Sequence, residues 1–222
     1  MTEFQGFSDQ TIDFFVGLTF NNDKYWFQEH KEEYETFLKA PFQALADEVL
    51  ASMRETYPKE NFYLHVSRIY RDARRLYGKG PFQDNLWFTI QKGTPQAVGP
   101  VFWFELTPFS YSYGLGQWES TAANAEMWRA QIASDPAAFE KLIRNIEKKG
   151  PYKLYGYEYK RPKGHISEVI DPWYNRKGVS IGYECGPDEK LFTPQIKDEL
   201  LQTYQDLMPL YHFYRKIYER SL

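Results

Sequence analysis

A single cysteine, Cys185, is the scarcest chemical resource in this chain of 222 residues. One thiol excludes an internal disulfide framework and any metal or cluster site built on several cysteines. The four histidines, His30, His65, His165 and His212, have no ligand spacing between them. Both the paired-histidine helix of zinc hydrolases and the His/Cys pattern of zinc deaminases are therefore missing. There is no aspartate-rich metal loop and no glycine-flanked serine nucleophile. No glycine fingerprint follows a strand, which removes the dinucleotide-binding class. No apolar run approaches the roughly 20 residues that span a bilayer, and the acidic, polar start MTEFQGFSDQ lacks the basic-then-apolar order of a signal peptide. The expectation is a soluble, cytoplasmic chain with no cofactor, no metal and no catalytic group that the sequence identifies.

What is present is aromatic and, in places, basic. Tyrosine, phenylalanine and tryptophan supply 18% of the residues, against an ordinary 42% hydrophobic and 26% charged content. Tyr and Trp carry a polar atom on a large apolar body, so they favour core edges and pocket walls. The length suits one domain with a substantial core. A net charge of -3 argues against double-stranded nucleic acid, although a local basic patch remains open.

Periodicity divides the chain into helices, strands and helices again. Ser8 can cap a short helix carrying Ile12, Phe15 and Val16, and Asn22 or Asp23 can cap a second that begins at Lys24. That second helix places Trp26, His30 and Tyr34 on one face. Pro41 suits the first turn of a third, striped by Phe42, Leu45, Val49 and Met53. Alternation then marks strands over 86–91, 101–106 and 110–115, with His65 to Tyr70 a fourth. Helices follow at 122–133 and 136–148, then a long ordered loop over 151–178 with short pieces of strand or helix, a short strand through Val179, Ile181 and Tyr183, and a last helix from Pro194 that Pro209 kinks or breaks. The order implies an α+β fold, with helices packed on one face of a mainly antiparallel sheet in a single domain over residues 1–222.

The densest chemistry lies between His65 and Phe88. Arg68, Arg71, Arg74, Arg75 and Lys79 fall within twelve residues that hold one acid, Asp72. Guanidinium forks bind carboxylate and phosphate through paired N–H donors. Strand alternation would send Arg68 and Arg71 to opposite faces unless the backbone turns near Tyr70. One of them would then brace the fold through Asp72, Glu29 or Glu33. The Gly78-Lys79-Gly80-Pro81 turn lacks the spacing of a phosphate loop and leads into a strand, which excludes nucleotide hydrolysis. A second basic run, Lys160-Arg161-Pro162-Lys163-Gly164-His165, follows Tyr155, Tyr157 and Tyr159. The acidic face of Glu29, Glu32, Glu33 and Glu35, with Lys31 and Lys39 among them, reads as solvated.

Several of these segments resemble, in order, the domain-of-unknown-function family 2461. The residues are Trp26-Phe27, His30-Lys31 and Tyr34, then the signature Arg68-Ile69-Tyr70-Arg71-Asp72-Ala73-Arg74. Lys79-x-Pro81-Phe82, Gly114-Leu115-Gly116-Gln117-Trp118, Lys160-Arg161-Pro162-Lys163-Gly164 and the closing Leu207-Met208-Pro209-Leu210 complete the likeness. The resemblance implies one domain and names no reaction. Where the family usually has Phe-Ser and an Asp before the lysine, this chain has Arg75-Leu76 and Gly78, and Gln83 stands where a lysine is usual. Any chemistry those polar groups carried elsewhere would be lost here, so binding is easier to defend than catalysis.

Two readings result. In the first, Arg68, Arg71 and Arg74 hold a small phosphate- or carboxylate-bearing ligand, with charge added by Lys79, Lys160 and Arg161 and with Trp26 and Trp118 as walls. Asp72 orients an arginine in that arrangement. In the second, the chain is a non-catalytic interaction module that meets a protein or single-stranded nucleic acid through a basic-aromatic surface. No membrane partner is expected, and the oligomeric state is left open.

Overall fold

The computed structural model describes residues 3–72, 74, 78–94, 99–117 and 121–219. Helix α1 (Asp9–Phe20) starts after Ser8, whose amide donates to the Thr11 hydroxyl at 3.1 Å. Helix α2 (Lys24–Glu29) is capped by Asp23, whose Oδ1 accepts from the Tyr25 and Trp26 amides at 2.8 and 3.0 Å. These are first-turn amides that find no acceptor within the helix.

The continuous helix expected from Lys24 through Tyr34 does not form. After α2 comes a single turn, α3 (Lys31–Glu33), then a π-helical segment, Tyr34–Lys39, that leads directly into α4 (Ala40–Thr56). Trp26 and His30 still stack, at 4.0 Å between ring centres, while Tyr34 packs on Phe14 and Phe27. Pro41 lies in the first turn of α4, as expected. It has no N–H, so the Phe37 carbonyl loses the donor four residues ahead. The buried Thr11 hydroxyl of α1 replaces that donor at 2.6 Å.

The strands are β1 (Phe62–Val66), β2 (Leu86–Lys92), β3 (Val101–Leu106), β4 (Tyr111–Gly116), β5 (Lys153–Tyr155) and β6 (Ser180–Cys185). They form a six-stranded sheet in the order β1-β2-β3-β4-β6-β5, so β1 to β4 lie side by side in chain order. Strand β1 lies earlier than expected and ends at Val66, opposite Phe88. The cause is Ser67. Its hydroxyl, in place of its carbonyl, accepts the Trp87 amide at 2.8 Å. The Ser67 amide still donates to the Trp87 carbonyl at 2.8 Å, so a side chain replaces one backbone bond of this last pair and the regular ladder stops after it. Beyond it, Tyr70 makes only an isolated bridge to Phe82.

The remaining helices are α5 (Ala122–Ser134), α6 (Pro136–Glu147), α7 (Asp171–Tyr174) and α8 (Gln195–Glu219). Helix α8 continues through Pro209 instead of breaking. The long loop expected over 151–178 contains β5 and α7. The fold is α+β, and the even-numbered residues of β3 face helices: Phe104 meets Phe42 of α4, and Phe102 meets Tyr204 and Tyr211 of α8.

The chain resolves into two compact units, each assembled from separated segments. The first comprises Met1–Pro95, Trp103–Ser112 and Glu184–Leu201. Its core is phenylalanine-rich: Phe42 contacts Phe88 and Phe104, and Phe7 stacks on Phe104 with 7° between ring planes. Glu48 of α4 ties this unit together. Its carboxylate accepts the Phe4 amide at 2.6 Å and pairs with Lys197 of α8 at 2.8 Å. The second unit comprises Gln96–Phe102, Tyr113–Tyr183 and Gln202–Leu222. It is built on Trp128, which stacks on Tyr214 at 4.4 Å and donates its indole N–H to the Trp173 carbonyl.

Candidate functional site

Because β1 stops at Val66, the chain from Ser67 to Tyr70 leaves the sheet and passes beside the π-helical segment. Between them lies a cavity of about 360 Å³. Phe27, Tyr34, Phe42 and Tyr70 supply aromatic wall, and Lys31, Lys39, Arg68 and Glu35 supply charge. Three cations therefore face one carboxylate. Glu35 pairs with Lys39 at 2.6 Å, and the Lys39 ammonium sits 5.9 Å from the centre of the Tyr34 ring. Lys31 and Arg68 are exposed, and neither makes an ion pair among the described residues. Burial, the Glu35 carboxylate and the neighbouring Tyr70 push the Tyr34 phenol far above its usual pKa. It stays protonated and can offer a neutral O–H donor.

Among the described residues proposed from the sequence as ligand-binding, Arg68 alone lines this cavity. Arg71 faces elsewhere. Its Nε and Nη2 donate to the carbonyls of Gly80 and Phe82 at 3.3 and 3.1 Å, and Asp84 lies 3.7 Å away. The Asn22 side chain meets the same turn, donating to the Phe82 carbonyl and accepting the Phe82 amide, both at 3.0 Å. Gly80 is needed for that approach, since a Cβ there would lie 2.2 Å from the Asn22 carbonyl oxygen. The clamp seats Phe82 flat on Phe27, with ring centres 4.1 Å apart. Arg71 is thus a brace, and its acid is Asp84 rather than Asp72, Glu29 or Glu33.

Asp72 and Arg74 form a local pair. Asp72 accepts the Arg74 amide at 3.0 Å and both Nε and Nη2 of its guanidinium at 3.1 and 2.8 Å. Hydrogen bonding to Asp72 raises the Arg74 pKa, and the pair lies in solvent. Lys79 is exposed in the turn after Gly78. Trp26 packs into the α1 side, where a Cβ on Gly17 would meet its ring at 2.8 Å, and it does not line the cavity. Lys160 and Arg161 are exposed residues of the second unit. Trp118 and Arg75 lie outside the described residues.

Sequence reasoning missed Lys31, Lys39 and Tyr34 as cavity residues, because a regular helix would have left both lysines on a solvated face. The usable signal was Pro41, which disturbs the helical ladder one turn after Phe37. Two larger cavities have the opposite charge. One of about 460 Å³ in the first unit carries Glu3 and Asp47, and one of about 550 Å³ in the second carries Glu147 and Glu168. Neither is lined by a cation.

Among the described residues no helix is long and apolar enough to cross a membrane, and no group of His, Cys, Asp and Glu is arranged to hold a metal ion. None of the curated proteins matches the chain. The family model for a conserved hypothetical protein, DUF2461, matches residues 10–213, and the chain belongs to that family.

Proposed function

We propose that this protein binds a small anion with an apolar body, a carboxylate- or phosphate-bearing metabolite, in the cavity beside Arg68. The observation that carries the reading is an arginine that makes no ion pair among the described residues, on an aromatic-walled cavity that also holds Lys31 and Lys39. The guanidinium fork supplies two parallel donors to a carboxylate or phosphate, and the lysines add point charge. The aromatic rings cover the apolar part of the ligand. Interruptions of helical geometry of the π type are frequent at functional sites, since they redirect side chains that a regular helix would send outward. A cytoplasmic location suits this reading, because such metabolites are abundant there.

The chemistry supports binding without catalysis. The Tyr34 phenol is held protonated and so is no base at neutral pH, and the Glu35 carboxylate is paired with Lys39. The test is a thermal-shift and calorimetric titration with benzoate, phenyl phosphate and inorganic phosphate. A ligand at a hundred times its Kd stabilises the native state by about 2.7 kcal/mol. The expected outcome is a rise in Tm with phenyl phosphate or benzoate that exceeds the effect of inorganic phosphate and disappears in Arg68→Ala. No response to any of the three, or an unchanged response in Arg68→Ala, would end the proposal.

A further inference from the structure

In the second unit, residues 157–159 and 175–177 run side by side around the antiparallel bridge Glu158↔Arg176. The Tyr159 amide donates to the Asn175 carbonyl at 2.9 Å, and the Lys177 amide to the Tyr157 carbonyl at 2.8 Å. Side chains alternate across such a ribbon, and directly opposed residues share a face. Tyr157, Tyr159 and Lys177 therefore occupy one face. Glu158 and Arg176 occupy the other, where they pair at 2.8 Å. The ribbon sorts its charge, placing the acid on the side away from the tyrosines.

The tyrosine face then gathers cations. Lys163, Arg129 and Lys177 lie 4.8, 5.4 and 6.0 Å from the centre of the Tyr159 ring, and Arg129 also donates to the Tyr159 hydroxyl at 3.3 Å. Lys163 is held in place by Asn175, whose Oδ1 accepts the amides of Lys163 and Gly164 at 2.7 and 3.4 Å. None of the three cations pairs with a carboxylate among the described residues, and neither do Lys160 and Arg161 on the same loop. Two acids of this region are occupied: Glu158 by Arg176, and Asp171 by His165 and the Ile166 amide. Three like charges drawn to one ring repel one another, and contact with a ring face offsets that only in part. A chain of phosphates would relieve the repulsion. Beside them Tyr157 is 84% exposed, an open aromatic surface.

We infer that this face is a docking surface for single-stranded nucleic acid, with Arg129, Lys163 and Lys177, aided by Lys160 and Arg161, tracking the phosphates and Tyr157 stacking a base. Cations interleaved with exposed rings are what such binding requires. An acidic peptide would use the charge but not the open ring. The net charge of -3 disfavours duplex, whose binding needs a broad basic footprint. The surface is independent of the Arg68 cavity.

The test is fluorescence anisotropy of the full chain with labelled oligo-dT and oligo-U, at low and moderate salt. Binding should weaken as salt rises, with a log–log slope that becomes shallower by roughly 0.7 for each phosphate contact removed. Lys163→Ala/Lys177→Ala should reduce both affinity and slope. Tyr157→Ala should weaken binding by about tenfold with little change in slope. Both variants should keep the parent Tm, because the substituted side chains are exposed, and Arg68→Ala should bind as the parent does. Absence of binding at low salt, parental affinity in both variants, or loss in Arg68→Ala would overturn the inference. So would competition by polyglutamate as strong as that by unlabelled oligonucleotide, which would assign the surface to an acidic protein.

Discussion

Arg68, Arg71 and Arg74 belong to one short signature, yet the three side chains have separate tasks. Arg68 faces the cavity, Arg71 holds the Gly80–Phe82 turn, and Arg74 pairs with Asp72 in solvent. Burial decides the consequence of removing each. The Arg71 side chain is 18% exposed and serves two carbonyls, so Arg71→Ala should lower stability by about 2 kcal/mol, the scale of a hydrogen bond made by a charged group. Arg74→Ala should leave the denaturant midpoint unchanged, because an exposed pair contributes little. Urea unfolding of the two variants checks this contrast. Charge density in the sequence drew attention to the region. It could not divide the three roles, because that division depends on where β1 ends, and a single serine hydroxyl ends it.

At the scale of elements, the π-helical segment depends on a bond from another helix. Thr11→Val keeps the shape of the side chain but removes the hydroxyl that donates to the Phe37 carbonyl. A loss of about 1–3 kcal/mol is expected, read as a lower midpoint in chemical denaturation, together with weaker binding at the Arg68 cavity. The Glu48–Lys197 pair joins α4 to the start of α8 and gives a pH signature. Burial pushes the Glu48 carboxyl up, but the Lys197 and Phe4 bonds outweigh it and hold its pKa below the usual 4.5. Its contribution is therefore complete above pH 4.5 and lost as pH falls through the depressed folded value. Hydrogen bonding to Glu48 raises Lys197 above 10.5, so that contribution is lost only as pH rises past 10.5. Glu48→Gln should lower Tm at neutral pH and flatten its decline below pH 4.5, as followed by circular dichroism. The helical stripe of α4 and the alternation of β2 to β4 were legible because each is a local period. The interrupted helix before α4 was not, because the bond that accompanies the break at Pro41 comes to the Phe37 carbonyl from Thr11, 26 positions away.

The whole molecule is assembled from interleaved segments. Neither unit is a contiguous stretch of chain: the first draws on residues 103–112 and 184–201 in addition to 1–95. A fragment ending at Pro95 lacks Phe104, which Phe7 and Phe42 pack against, and Lys197, which neutralises Glu48. It should be unfolded, with weak far-UV circular dichroism and collapsed amide dispersion by NMR, although all of α1 to α4 is present. The α+β class was legible from the order of periods along the chain. The division into two units was not, because β3, β4, β6 and α8 each contribute residues to both, and no shift in composition marks the change.

The clamp on Phe82 has one further consequence. Its amide is bonded to the Asn22 side chain and its carbonyl accepts from both Asn22 and Arg71, although the residue lies outside every named strand. In deuterium exchange such an amide opens only when the turn and α2 separate, so it belongs with the slow set of the sheet. Four residues earlier, exposed Gly78 has a left-handed backbone at φ +77° and open space around it. A protected amide so close to an open turn makes this loop a local gauge of whether the cavity wall formed by Phe27 is in place.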